Sequence, residues 1–133
     1  MYKLIPHAAD LRMKVRGATL EDLFNEALAG LMDVIHPGKA HTINAKWPIR
    51  IEAEDITNLL IDFLNEALTL SQTNKQVYTR ITFKTLTHNV CEAILEGYKV
   101  ESFFKDVKAV TYHQTDVKRG KDGQWETVLI FDV

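Results

Sequence analysis

The sequence predicts an α+β domain, a largely antiparallel mixed sheet with two helices packed on one of its faces. Three observations predict it. Residues 11–16 alternate, with Leu11, Met13 and Val15 set against Arg12, Lys14 and Arg16, the period of a strand with one wet face. Two later segments carry apolar residues at helical spacing, each behind a residue suited to cap it. The order of elements is strand, helix, strand, helix and then four strands, which lacks the regular alternation of a parallel α/β sheet.

The elements follow from local chemistry. Gly17 ends the first strand, and Thr19 before Leu20-Glu21-Asp22 combines a hydroxyl with early acids, a helix-start signal. Leu20, Leu23, Phe24, Ala27, Leu31 and Ile35 set a helix over about 20–35 that stops before Pro37-Gly38. Residues 44–53 favour a strand in which Pro48 suggests an edge or bulge. Asp55 caps the second helix, whose residues Ile56, Leu59, Leu60, Phe63, Leu64, Ala67 and Leu68 form a broad stripe suited to packing on a sheet. The runs 77–87 and 90–98 flank His88-Asn89 as a tight hairpin. After an irregular connection over 99–107, the runs 108–118 and 124–132 flank Gly120-Lys121-Asp122-Gly123, a second turn signal. With single glycines and prolines at the joints and no repeat or linker, residues 1–133 read as one domain.

Composition narrows the function. Sixteen Lys and Arg against eighteen Asp and Glu give a net charge of −2, which argues against strong non-specific nucleic-acid binding. The single cysteine, Cys91, allows neither an intrachain disulfide nor a thiolate cluster, and suits a reducing, cytoplasmic setting. The apolar run after Met1 is too short for a secretory signal. No stretch nears the roughly 18 apolar residues of a membrane span, so no membrane partner is expected. There is no phosphate-binding GxxxxGK[ST] loop, no GxGxxG, no GxSxG and no HExxH, and no nucleophile–base–orienter set.

The residues that could carry chemistry lie near the extremities. Asp132 and the carboxylate of Val133 stand about 3.5 Å apart along an extended chain, and oxygens so close repel or share a cation. Asp10, in His7-Ala8-Ala9-Asp10, would complete an acidic pocket if the two ends meet. That run also reads as a plain loop whose Asp bonds its own backbone. Lys108 opens a strand and could reach a phosphate or an acid. His113, further along, reads either as a ligand or as a structural histidine. Asp62 and Glu66, four apart on the second helix, share a face. Asp62 sits beside the apolar stripe and is expected to be partly buried.

Taken together, Val107-Lys108-Ala109-Val110-Thr111-Tyr112-His113, Trp125 and Phe131-Asp132-Val133 resemble the archease family, over nearly the whole chain. His7-Ala8-Ala9-Asp10 stands where that family has His-Thr-Ala-Asp, and Thr19–Phe24 and Asn58–Glu66 resemble its two helices. The resemblance implies a small cytoplasmic protein, not itself an enzyme, that activates an RtcB-type RNA ligase in tRNA splicing and RNA repair by promoting guanylylation and multiple turnover. It implies a divalent cation, Ca²⁺ with Mg²⁺ or Mn²⁺ as alternatives, held by Asp10, Asp132 and Val133, with Lys108 important for activation. Ala8 replaces the family's Thr. The connection Gly97–Phe104 lacks the acid and histidine common there, a departure in the loop expected to face the partner.

Two other functions fit the residues alone. A metal-dependent phosphoester hydrolase would use Asp10, Asp62 and Asp132 with His7 or His113 as base. An RNA-binding, chaperone-like module would use Arg12, Lys14 and Arg16 on one strand face.

Overall fold

The computed structural model describes residues 1–5, 10–38, 41–112 and 116–133. His7 and His113 therefore lie outside the described residues. The elements are β1 (Tyr2–Ile5), β2 (Leu11–Gly17), α1 (Leu20–Ile35), β3 (Ala45–Glu52), α2 (Ile56–Asn74), β4 (Gln76–Leu86), β5 (Val90–Lys99), β6 (Ala109–Tyr112), β7 (Lys118–Arg119) and β8 (Trp125–Asp132).

Both helix starts form where the side-chain chemistry places them. The Thr19 hydroxyl accepts from the Asp22 N–H at 3.1 Å, and Asp55 Oδ1 accepts from the Asn58 N–H at 2.8 Å. Each cap satisfies an N–H that the helix cannot bond internally. The second helix ends at Lys75, whose φ of 53° is left-handed and whose N–H returns to the Ser71 carbonyl. In the turn 120–123 the Gly123 N–H donates to the Gly120 carbonyl at 3.0 Å.

The α+β class, the antiparallel pairing and the two helices are as expected, but the strands divide into two sheets. One has five strands in the order β1-β2-β8-β6, with β7 also on β8; the other runs β3-β5-β4. The helices lie between them. Helix α1 packs on β2 and β4, and α2 on β6, β3 and β4, so each helix touches both sheets. The breadth of the apolar stripes is the physical reason: a helix buried on two sides can serve two layers. Phe24 of α1 joins the layers, its ring 5.2 Å from that of Phe63 on α2 and 6.3 Å from that of Phe83 on β4.

Three further departures are local. Strand β1 is an element not expected from the sequence, and pairing with β2 supplies its bonds from Tyr2↔Val15 to Ile5↔Arg12. Of the run expected over 108–118, the described residues form strand over Ala109–Tyr112 and again from Lys118. In β8, which is central as expected, Thr127, Leu129 and Phe131 are buried but Val128 and Ile130 are only half-buried, since helices cover one face of the sheet. Pro48 does sit on an edge strand, where its missing N–H is tolerated.

Gly97 marks a close approach of β5 to β4. A Cβ there would lie 1.7 Å from the Val77 carbonyl oxygen, so a side chain must displace β4 backbone rather than a rotamer. Gly97→Ala is expected to destabilise the domain by about 3 kcal/mol, the upper end for overpacking, read as a lower urea midpoint at unchanged slope.

Candidate functional site

Strands β2 and β8 are antiparallel and in register from Gly17↔Trp125 to Leu11↔Phe131. Asp10 immediately precedes β2, and Asp132 immediately follows Phe131 in β8. The first and last acids of the chain are thus brought to one end of one ladder, across more than a hundred residues of sequence. Strand β6 completes the place from the other side, with Ala109↔Asp132 in register and the Lys108 N–H donating to the Asp132 carbonyl at 2.7 Å. Asp10, Asp132, Val133 and Lys108 therefore lie at one end of the five-stranded sheet.

Electrostatics at this place has two sides. Two carboxylates at one end of a ladder favour positive charge nearby. Arg12 supplies some of it, its Nε 3.5 Å from Asp10 Oδ1, with both side chains 23% exposed. Asp132 is exposed. The donors are all oxygens, which suits a hard divalent cation. The only thiol, Cys91, is fully buried in the other sheet, and its burial pushes its pKa up to about 11. Among the described residues no three His, Cys, Asp or Glu side chains are grouped to hold a metal. A cation at the Asp10–Asp132 pair would need main-chain or water oxygens, or the Val133 carboxylate, to complete its shell.

Asp62 is not part of this place. It is exposed rather than partly buried, and lines a cleft of about 390 Å³ between α2 and β3 with Arg50, Glu52, Asn65 and Glu66. Asp10, Asp62 and Asp132 thus form no three-carboxylate centre of the kind the hydrolase reading needs. The basic strand face is also largely neutralised: Arg12 pairs with Asp10, and Arg16 with Asp122 and Glu126.

One residue that sequence reasoning passed over is Asn65. Its Oδ1 accepts from the Val110 N–H at 2.8 Å, and its Nδ2 donates to the Val110 carbonyl at 2.8 Å and to the Ile61 carbonyl at 3.1 Å. The amide acts as a one-residue strand on the free edge of β6, and so locks α2 to the segment that begins with Lys108. The legible signal was a polar amide beside an apolar stripe, but its partner lies forty-five residues away.

The loop before β6 is held just as firmly. Val100 N–H bonds Lys75 O at 2.9 Å, Phe104 N–H bonds Ile35 O at 2.8 Å, and Gln72 Nε2 bonds Val107 O at 3.0 Å. This fixed loop presents Phe104, 78% exposed, to solvent.

The chain matches the Archease protein family (MTH1598/TM1083) over residues 2–133. Among its relatives are proteins called "Protein archease" from Methanosarcina acetivorans, 30% identical over 99% of this chain and 95% of the relative, and from Pyrococcus furiosus, 30% identical over 96% and 94%. The solution structure of Methanobacterium thermoautotrophicum protein 1598 shares the fold with a TM-score of 0.78, at 21% identity over 99% of this chain and 98% of that one. The crystal structure of an archease, possible chaperone, from Thermotoga maritima shares it with a TM-score of 0.64, at 21% identity over 100% and 98%.

Asn65→Leu leaves the Val110 N–H and carbonyl without partners, and is expected to cost about 2 kcal/mol or more. Hydrogen exchange should show the Val110 amide losing protection before that of Leu129 on central β8. Cys91 should resist a thiol reagent such as DTNB at pH 8 in the folded protein and react at once in urea.

Proposed function

We propose, from the premise that this chain belongs to the archease family, that it is an accessory activator of an RtcB-type RNA ligase in tRNA splicing and RNA repair. It promotes guanylylation and multiple turnover of the ligase in the cytoplasm, and is not itself an enzyme. The observation that carries this reading is the convergence of Asp10, Asp132 and Lys108 at one end of the five-stranded sheet, fixed by the β2–β8 register and the Lys108–Asp132 main-chain bond.

Asp10 and Asp132, with the Val133 carboxylate, would hold a divalent cation, Ca²⁺ foremost and Mg²⁺ or Mn²⁺ as alternatives. A cation there supplies positive charge beside a nucleotide phosphate, where guanylyl transfer needs it. The protein's own residues do the rest. Arg12 limits the repulsion at Asp10, Asn65 holds the start of β6 in place, and Lys108 enters the same end of the sheet through its main-chain bond to Asp132. His7 and His113, next to Asp10 and β6 in sequence, are accessory residues of the same reading. The rigid loop with Phe104 favours a protein partner over a small substrate, because an exposed aromatic on an already ordered segment loses little entropy on docking.

The word chaperone attached to the Thermotoga relative gains less support in this chain. Holding unfolded clients calls for a contiguous apolar surface. Among the described residues the exposed large apolar side chains are Met1, Leu4, Trp47, Ile94, Phe104 and Val133, spread over both sheets and a loop.

The reading is tested by a ligase guanylylation assay. Asp10→Ala, Asp132→Ala and Lys108→Ala proteins should each lose most of the stimulation while remaining folded; undiminished stimulation removes the proposed site. Ca²⁺ should raise the melting temperature of the native protein by a few degrees and leave Asp132→Asn unmoved, as follows when a ligand binds only the folded state. Phe104→Ala should weaken ligase binding about tenfold or more without altering that Ca²⁺ response.

A further inference from the structure

The C-terminal turn of α1 carries an unusual charge arrangement. A helix C-terminus is the negative pole of the helix and favours basic residues. The last turn of α1 has none. It carries Asp33 instead, an acid at the pole where an acid is least stable. The only hydrogen bond to the Asp33 carboxylate among the described residues comes from the Tyr2 hydroxyl, which donates to Oδ2 at 2.5 Å and leaves Oδ1 open.

Asp33 lines a hollow of about 200 Å³ whose other walls include Tyr2, His36, Tyr98 and Met32. Tyr98 is almost fully buried, and the His36 and His41 rings meet its ring edge-on at 6.2 and 4.9 Å. His36 keeps a buried Nδ1 with no hydrogen-bond partner among the described residues. Buried polar atoms are rarely left so without a water or a ligand to satisfy them. The hollow thus combines an open carboxylate oxygen, an unsatisfied ring nitrogen, the carbonyl end of a helix and aromatic rings. Tyr2 is held protonated there, its pKa pushed up to about 12 chiefly by its bond to Asp33, so its hydroxyl remains a donor that orients the carboxylate.

We propose that this hollow is a binding site for an organic cation of the guanidinium or alkylammonium class. Each wall suits that chemistry. The carboxylate and the helix end attract positive charge, aromatic rings add cation–π attraction, and His36 Nδ1 in the neutral ring accepts an N–H. The volume is below the usual range for drug-sized ligands and matches one short side chain or a small amine. The site does not rest on the ligase reading, since it shares no residue with the Asp10–Asp132 end.

The probe is n-butylguanidinium, with N-butylurea as the neutral shape control, followed by ¹H–¹⁵N NMR on the full chain. Expected are saturable shifts of the Asp33, His36 and Tyr98 amides with the cation, none with the urea, and at least tenfold weaker binding in Asp33→Asn. Tyr98→Phe, which keeps the ring, should retain most of the affinity and shows that the hollow is intact. An arginine tripeptide with blocked ends separates the sources: tighter binding than butylguanidinium points to a partner's arginine, and weaker binding to a free small amine. Absence of saturation, equal shifts with the urea, or undiminished binding by Asp33→Asn would overturn the proposal.

Discussion

The pairing of β2 with β8 is the constraint on which the rest depends. It joins residues 11–17 to residues 125–131, a contact that must close almost the whole chain. Its stability comes from the inner face, where Met13 and Val15 of one strand and Leu129 and Phe131 of the other are buried against the helices. Full burial of such side chains is worth about 1.5–3 kcal/mol each, against which a single pair of carboxylates at the ladder's end is a small penalty. The apolar face therefore sets the register, and the register brings Asp10 and Asp132 to one end of the ladder. The core thus dictates which residues stand at that end of the ladder.

The helices lying between two sheets explain why side-chain amides and backbone glycine matter where they do. A two-sheet arrangement leaves more strand edges than one closed sheet would. Strand β6 is an edge of its sheet, and without Asn65 its Val110 groups would face the helix layer unbonded. On the other sheet, β4 and β5 close to contact distance only because Gly97 has no side chain. The outer face of that sheet is held by charge instead. Glu96 is nearly buried between Arg80, Thr82 and Lys46, and the Arg80 and Thr82 bonds hold its carboxyl below the usual glutamate range. A lowered carboxyl pKa gives stability that is present above the ordinary glutamate value and fades as pH falls through the folded one.

Much of this was legible in the chain, and the division is physical. Both helices were readable to their first residue because their caps are local: Thr19 and Asp55 bond atoms three positions away. The turn at 120–123 and the hairpin at His88-Asn89 are likewise short-range. Asp10 and Asp132 could be paired only as a condition, since nothing local says that two strands a hundred residues apart will be neighbours. The split into two sheets was hidden because a broad helical stripe looks the same whether it meets one sheet or two. Asn65 and the Tyr2–Asp33 pair escaped for one reason: a polar residue reveals its importance through a partner that sequence spacing does not supply. Asp62 misled in the opposite direction, for apolar neighbours along the chain do not bury a side chain that the helix turns outward.

The two candidate sites share no residue, yet one segment runs from one to the other. It begins at Tyr98, in the wall of the cationic hollow, and ends at Lys108, beside Asp132. Midway, the Phe104 and Lys105 N–H groups both reach the carbonyl of Ile35, two residues after Asp33. The C-terminus of α1 thus anchors the loop that presents Phe104 and delivers Lys108. Contiguity of this kind supplies a route rather than a coupling, which exists only if the segment has two arrangements that both sites bias. The hydrogen bonds at Lys75, Ile35, Gln72 and Asp132 argue for a single arrangement. A cation in the hollow would then stiffen the helix end that carries the loop, and any effect at Lys108 would arise from reduced motion rather than from a change of shape.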